Sequence, residues 1–387
     1  MKITKIISFL LGMLCFSCQA WATDVSVAGF AFAGDFQSAA QRFPRAYRLF
    51  TLRQGSENIQ ERYSAMVAEK AGAINNPQFH FTRAGMVNLQ ADRALMAALV
   101  LTGETVVTEH YGNYYKTFVN LRADTLIFDY KNQTIVRNCP VNVVLFDATT
   151  QAPSEERLSG FVDNLIRRPD EKGLISQFAQ CLQRATLPGD NVRTLQVRKG
   201  EVSAEALAAF PEILRNNPAT VQAMLADTLG SVLSSRLGLS MLPSSIGHTG
   251  GVMSLRLENG DDIKLTLPSG DYVFDIKLNK FAKLKTAETS VSTTYVYGAY
   301  MSLGFSEPLM NTAFIQTDLK NGEVAVLPTG QVNSDDFSAY QDAVRGLYTK
   351  FADALAQPAA AWIKTAASAK DIEAQMAVAR DTLRKIK

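Results

Sequence analysis

The side chains in this sequence that can carry chemistry are few and scattered. Its three histidines, His80, His110 and His248, fall on a strand, at a strand end and in a loop. No two share the i, i+4 spacing that puts two ligands on one helix face, and neither an HExxH motif nor a Cys/His cluster occurs. Metal-centred chemistry is therefore not expected. The loop Ile246-Gly247-His248-Thr249-Gly250-Gly251 could bring backbone amides to an anion. A hairpin rather than a helix follows it, so it reads as a flexible connection. Ser244 and Ser245 precede that loop without a GxSxG elbow or an SxxK motif. Asp261-Asp262 and Asp335-Asp336 stand beside a hairpin turn and at a helix start, where acids serve turns and caps. Glu104 and Glu109 share a strand, with no partner that spacing identifies. No catalytic, metal-ligating or cofactor-binding residue is assigned, no cofactor is implied, and the chain is not expected to be an enzyme.

The cysteines have a structural reading. Cys15 and Cys18 sit in an apolar leader, which leaves Cys139 and Cys181. An even pair in an oxidising compartment is expected to form a bridge rather than two buried thiols, tying the end of one strand to the helix that follows.

The leader sets that compartment. Lys2 and Lys5 precede an apolar run from Ile6 to Phe16, and Ala20-Trp21-Ala22 offers small residues for a signal peptidase. The run is shorter than the roughly 18 residues a permanent span needs. Residues 1–22 are therefore expected to be a cleaved signal peptide, and the protein periplasmic in a bacterium. The alternative, acylation at Cys18 to give an outer-membrane lipoprotein, fits less well, because Cys15 and Phe16 stand where such signals carry aliphatic and small residues. The chain has 387 residues, 47% hydrophobic and 20% charged, with a formal net charge of +2. That composition argues for a folded protein with room for two domains. Without Lys2 and Lys5 the remainder is neutral, so nucleic acid is not an expected partner and membrane contact is not favoured.

The elements repeat a programme. A strand over Val25–Phe32 and another over Val192–Arg198 each lead into a helix. In the second helix Val221, Met224, Leu225, Leu229, Val232 and Leu233 share one face, with Pro218 and Gly238 as start and stop. Short strands at Phe79–Thr82 and Leu239–Leu242 follow, then Leu99–Val107 and Tyr272–Leu278. Similar turns are read at Asp129–Gln133 and Asp318–Gly322, and each half closes on a helix. The expected fold is α+β: two similar domains, each a mixed, mostly antiparallel sheet with helices on one face. The first domain covers 23–187 and the second 190–357, split at Pro188-Gly189. An inserted hairpin around Asn259-Gly260 belongs to the second, and an amphipathic C-terminal helix occupies 358–387.

Three places are candidate interaction surfaces. Tyr111, Tyr114 and Tyr115 form an aromatic cluster that is either a recognition surface or a set of cross-strand pairs. Residues 291–305 alternate over a length greater than the usual strand, with Tyr295, Tyr297 and Phe305 on the apolar side. That face lies either under the helices of its own domain or in a membrane or partner sheet. Asn311–Thr317 is read as a short, polar neighbour that counts against a spanning hairpin. In the tail, Met376 and Leu383 belong to a 4-3-4-3 seam suited to one other helix, on the domain or on a partner.

Ala98-Leu99-Val100-Leu101-Thr102-Gly103-Glu104, the striped helix 221–237 and a closing hairpin before a helix together resemble a bacterial envelope domain. It is the type seen in the amino-terminal domain of TolB, in CsgG-like secretion subunits and in LpoB-like activators, here as a tandem pair. The resemblance implies protein–protein work in cell-envelope assembly or secretion, by docking to other envelope proteins or by self-association, without a cofactor. An extracytoplasmic enzyme and a channel component using 291–305 are the alternatives. A deep pocket with converging His80, His248 or acidic side chains would favour the enzyme.

Overall fold

The computed structural model describes residues 22–34, 36–83, 94–187, 193–244, 251–257, 260, 262–329, 335–358 and 361–386. The leader, the boundary cluster at 188–190, the loop 246–250 and Asn259 lie outside them. The chain is α+β. β1 (Thr23–Ala33) leads to α1 (Phe36–Arg42), α2 (Pro44–Gln54), α3 (Tyr63–Gly72) and the short β2 (Phe79–Thr82). A long antiparallel meander follows, β3 (Leu95–Tyr111), β4 (Tyr114–Asp129) and β5 (Thr134–Thr149), then α4 (Glu155–Arg167) and α5 (Leu174–Arg184). The second run opens with β6 (Leu195–Val202), the single turns α6 (Ala204–Leu207) and α7 (Glu212–Arg215), and the long α8 (Pro218–Leu237). The hairpin β7 (Val252–Leu257) and β8 (Asp262–Thr266) precedes a second meander, β9 (Tyr272–Glu288), β10 (Ser292–Glu307) and β11 (Thr312–Pro328). The chain closes on α9 (Asp336–Ala356), α10 (Ala361–Ala366) and α11 (Ile372–Ile386).

The two meanders share strand order and sense. β1 runs parallel to β3, and β6 parallel to β9; each pair bulges early, between Val27 and Gly29 and between Val197 and Lys199. Order in the first sheet is β1-β3-β4-β5 and in the second β6-β9-β10-β11. Each meander has a turn between its second and third strands, at 130–133 and at 308–311. Those turns end on Gln133 (φ 53°) and Asn311 (φ 50°), the non-glycine residues with left-handed φ among the described residues. Polar side chains that can bond locally tolerate that conformation best.

The hairpin β7–β8 belongs to the first sheet. β7 pairs with β1 over Leu255–Leu257, and β8 touches β5 at Thr266–Thr134, which closes a ring of strands around Met253, Leu255, Leu265, Leu126 and Phe128. The expected placement of this insertion with the second half is therefore corrected. Its apolar side chains cover the second face of the first sheet, which is why β3 begins with a run buried on both faces, Leu95–Leu101.

α8 lies between the sheets. Its apolar stripe joins β6, β9 and α9 in one core, and that core takes in Val107 and Phe118 from the first sheet. Its opposite side meets β5, where Gly230 packs on Pro140 and Asn142 Nδ2 donates to Thr228 Oγ1 at 2.8 Å. The caps follow the sequence: Asn217 accepts from the Thr220 amide, Pro218 starts the helix, and Gly238 ends it in a left-handed conformation.

Two local readings are overturned. Residues 318–322 are not a turn; they run through the middle of β11, with Lys320 opposite Tyr300. Asn321 there is buried, and its side chain donates to the Ala343 carbonyl and accepts from Lys350, so its polarity serves a helix contact. Consequently β11 is as long as β10, not a short neighbour. Residues 239–242 form no strand, because Met241 N donates to Asn138 and Leu242 N to Leu195, one bond to each sheet rather than a ladder.

Candidate functional site

A cleft of ≈ 610 Å³ opens between β3, the α1–α2 junction and the α7–α8 region. The Thr102-Gly103-Glu104 stretch forms its floor. β3 bulges between Leu101 and Gly103, and Gly103 pairs with Arg122 on β4. An added Cβ at Gly103 would overlap the Arg122 guanidinium, so the glycine makes the seat for that group. Arg122 reaches Asp227 of α8 at 3.1 Å, while its Nε is buried without a partner. Asp227 also accepts from Ser244 Oγ at 2.7 Å.

Two further carboxyls converge there. Asp124 lies two residues along β4 and is fully buried; burial, then the nearby Asp227 charge, push its carboxyl up to about 7 against a hydrogen bond from Asn138. That bond runs from Asn138 Nδ2 to Asp124 Oδ1 at 2.9 Å. Glu104 accepts from the Arg45 amide at 3.1 Å and the Ala46 amide at 2.9 Å, at the open N-terminus of α2. Burial raises its pKa, and those two amide bonds act in the opposite direction. Arg42, on the rim, donates to the Ala33 carbonyl at 2.8 Å. The acids thus converge, but Glu104 caps a helix and Asp227 holds Arg122 and Ser244. His80 is remote, paired at 2.8 Å with Asp24, and His248 lies outside the described residues. Among the described residues no group of three or more His, Cys, Asp or Glu could hold a metal ion. Arg122, Thr105 and Asp124 are the other polar side chains along the cleft. Thr105 is buried with an unpartnered hydroxyl.

The expected surface residues divide. Tyr111, Tyr114 and Tyr115 sit half-buried at the β3–β4 tip; Tyr111 stacks on Tyr114 and donates to Glu109 at 2.6 Å, and Tyr115 stacks on His110. Tyr295 is also half-buried. Tyr297, Phe305, Met376 and Leu383 are corrected, for all four are buried, and the last three belong to the main core. Tyr297 donates to Asp336 at 2.7 Å, and Phe305 stacks on Phe274. From Tyr297 to Phe305 the apolar face lies under α9 and is not free for a membrane, whereas Val291 is exposed. The described helices include none long and apolar enough to cross one. Cys139 on β5 and Cys181 on α5 form the disulfide, as expected.

Sequence reasoning passed over the opposite face of the second sheet. Leu284, Val324 and Val326 are 64%, 67% and 62% exposed there. The signal was present: Val324 and Val326 continue the outward phase of β11, in which Gln316, Asp318 and Lys320 are polar.

No protein-family model matches the chain, and no curated protein matches it in sequence. Among solved structures, it is similar to a Helicobacter pylori homologue of neuraminyllactose-binding hemagglutinin. The identity is 15% and the TM-score 0.28, over 50% of this chain and 92% of that one. Likeness at that level carries no argument about function.

Proposed function

We propose that this chain is a non-enzymatic docking or scaffolding protein of the bacterial cell envelope, working in the periplasm on other envelope proteins. The observation that carries the reading is the cluster Leu284, Val324 and Val326 on a sheet face that no described helix covers. Exposed aliphatics gathered on one face mark interaction surfaces, whereas single ones do not. The Cys139–Cys181 bridge supports an oxidising compartment. Capture from envelope extract on the immobilised mature chain tests it. A specific envelope protein recovered in stoichiometric amount is expected; recovery of none, from extract and from crosslinked cells, would overturn it.

A second reading rests on the cleft, where the unpartnered Arg122 Nε and Thr105 Oγ1 would meet a small polar ligand. The two readings are compatible, since cleft and open face lie on different sheets.

A further inference from the structure

The fifth residue of β4 is Phe118, and the fifth of β10 is Val296. Phe118 is in register with Val107 on β3 and Phe146 on β5. Val296 is in register with Leu284 on β9 and Val324 on β11. The two apolar rows therefore hold the same place in two meanders of the same order. Their surroundings differ. In the first sheet the start of α9 covers the row at Phe118, leaving Phe146 partly open: the Phe337 ring meets Phe118 edge-on at 5.1 Å, and Asp335, the residue that caps α9, pairs with Lys116 at 3.1 Å. In the second sheet nothing described covers the row, and Leu284 and Val324 lie open.

Beside the open row runs a basic band. Lys280 and Lys320 flank Tyr300 in register, with the Lys280 ammonium 5.1 Å from the ring centre; one step further along, Lys277 shares its row with Glu201 and Asp318, where the band ends. None of these lysines has an ion-pair partner among the described residues.

Resting on the docking function proposed above, we infer that the Leu284–Val296–Val324 row receives an amphipathic helix of another protein. That helix carries an aromatic side chain in its first turn and acidic residues at its start, and its start is turned toward Lys280 and Lys320, on the other side of the row from the place where Asp335 of α9 meets Lys116 in the first sheet. The aromatic ring fills the row and the acids meet the lysine band, a desolvated anchor with a charged rim. A second copy of this chain fits less well. Counted from their N-caps, Ser154 and Asp335, α4 presents Glu156 where α9 presents Phe337.

The test uses a labelled synthetic peptide of residues 335–356 as the probe, titrated into the intact mature protein. Saturable binding is expected. It should weaken by about tenfold or more with Leu284→Lys or Val324→Lys in the protein or Phe337→Ala in the peptide, the loss of one anchor. It should also weaken as salt rises, because the lysine band is exposed. Both lysine variants lie on the open face and should keep the parent thermal transition, which confirms their fold. Binding indifferent to both, or self-association of the parent that both abolish, would overturn the inference. Capture of an envelope protein that survives Leu284→Lys would overturn the inference at this row while leaving the docking function standing.

Discussion

Gly103 on β3 and Arg122 on β4 are register partners, and the guanidinium lies in the volume where any side chain at 103 would begin. The pair therefore sets the floor of the cleft and, through Asp227, ties the first sheet to α8. Gly103→Ala should expel Arg122 and leave Asp227 without its cation, lowering stability by about 3 kcal/mol in urea unfolding. In an Arg122→Ala background the same change should cost far less, because the clash is gone. Equal costs in both backgrounds would show the two residues to be independent.

Asp124 makes stability depend on pH in a defined direction. Its folded pKa is raised to about 7, above its ordinary value, chiefly by burial. The folded state then binds a proton that the unfolded state has released. Stability from this group is fully present below about pH 4 and is lost as pH rises through about 7. Asp124→Asn keeps the size and removes the titration. It should flatten the change in melting temperature between pH 5 and 8 and raise the value at pH 8 by several degrees. An unchanged slope would remove Asp124 as its cause.

The disulfide joins residues 42 apart in sequence and holds α5 against β5. Closing a loop of that size limits the unfolded chain by about 4 kcal/mol. Cys139→Ser should lower the melting temperature of oxidised protein to that of reduced parent, and the oxidised parent should show no free thiol by mass labelling. Two labelled thiols in undisturbed material would contradict the bridge.

The sequence was most legible where one physical rule acted alone. Pro218, Gly238 and the stripe of α8 fixed that helix because caps and periodicity agree. Alternation over 291–305 placed a strand, and burial under α9 explains its apolar face. The doubled order of strands could be read only in part, since 239–242 forms no strand and 318–322 runs through β11. Asp318–Gly322 resembles the turn at 129–133 in composition, although Asn321 is polar to meet α9 rather than to reverse the chain. α1 and α2 were missed because only Ala46 and Phe50 are buried along α2, too few to show a period. The cleft was invisible for a different reason. Glu104, Arg122, Asp124 and Asp227 come from two strands and a helix far apart in sequence, and only the fold brings them together. Even so, Thr102-Gly103-Glu104 stands out in the sequence, and each of its residues borders that cleft.

The C-terminal seam packs on its own chain. Ile372, Met376, Ala379, Leu383 and Ile386 enter the main core with β11 and α9, and the preceding link covers part of an edge strand. There Ser368 N donates to the Asp318 carbonyl, and Ser368 Oγ and Gln375 Oε1 accept from the amides of Asp318 and Gln316. Removing this segment would expose both an apolar stripe and unpaired backbone on β11, the combination that invites edge-to-edge pairing. Met376→Ala should therefore cost about 3 kcal/mol in a denaturant titration. Deletion of 359–387 should lower the main thermal transition and produce larger species on a sizing column. A deletion variant that stays monomeric with the parent transition would show the helix to be dispensable to the fold, and would return it to the role of a detachable interaction segment.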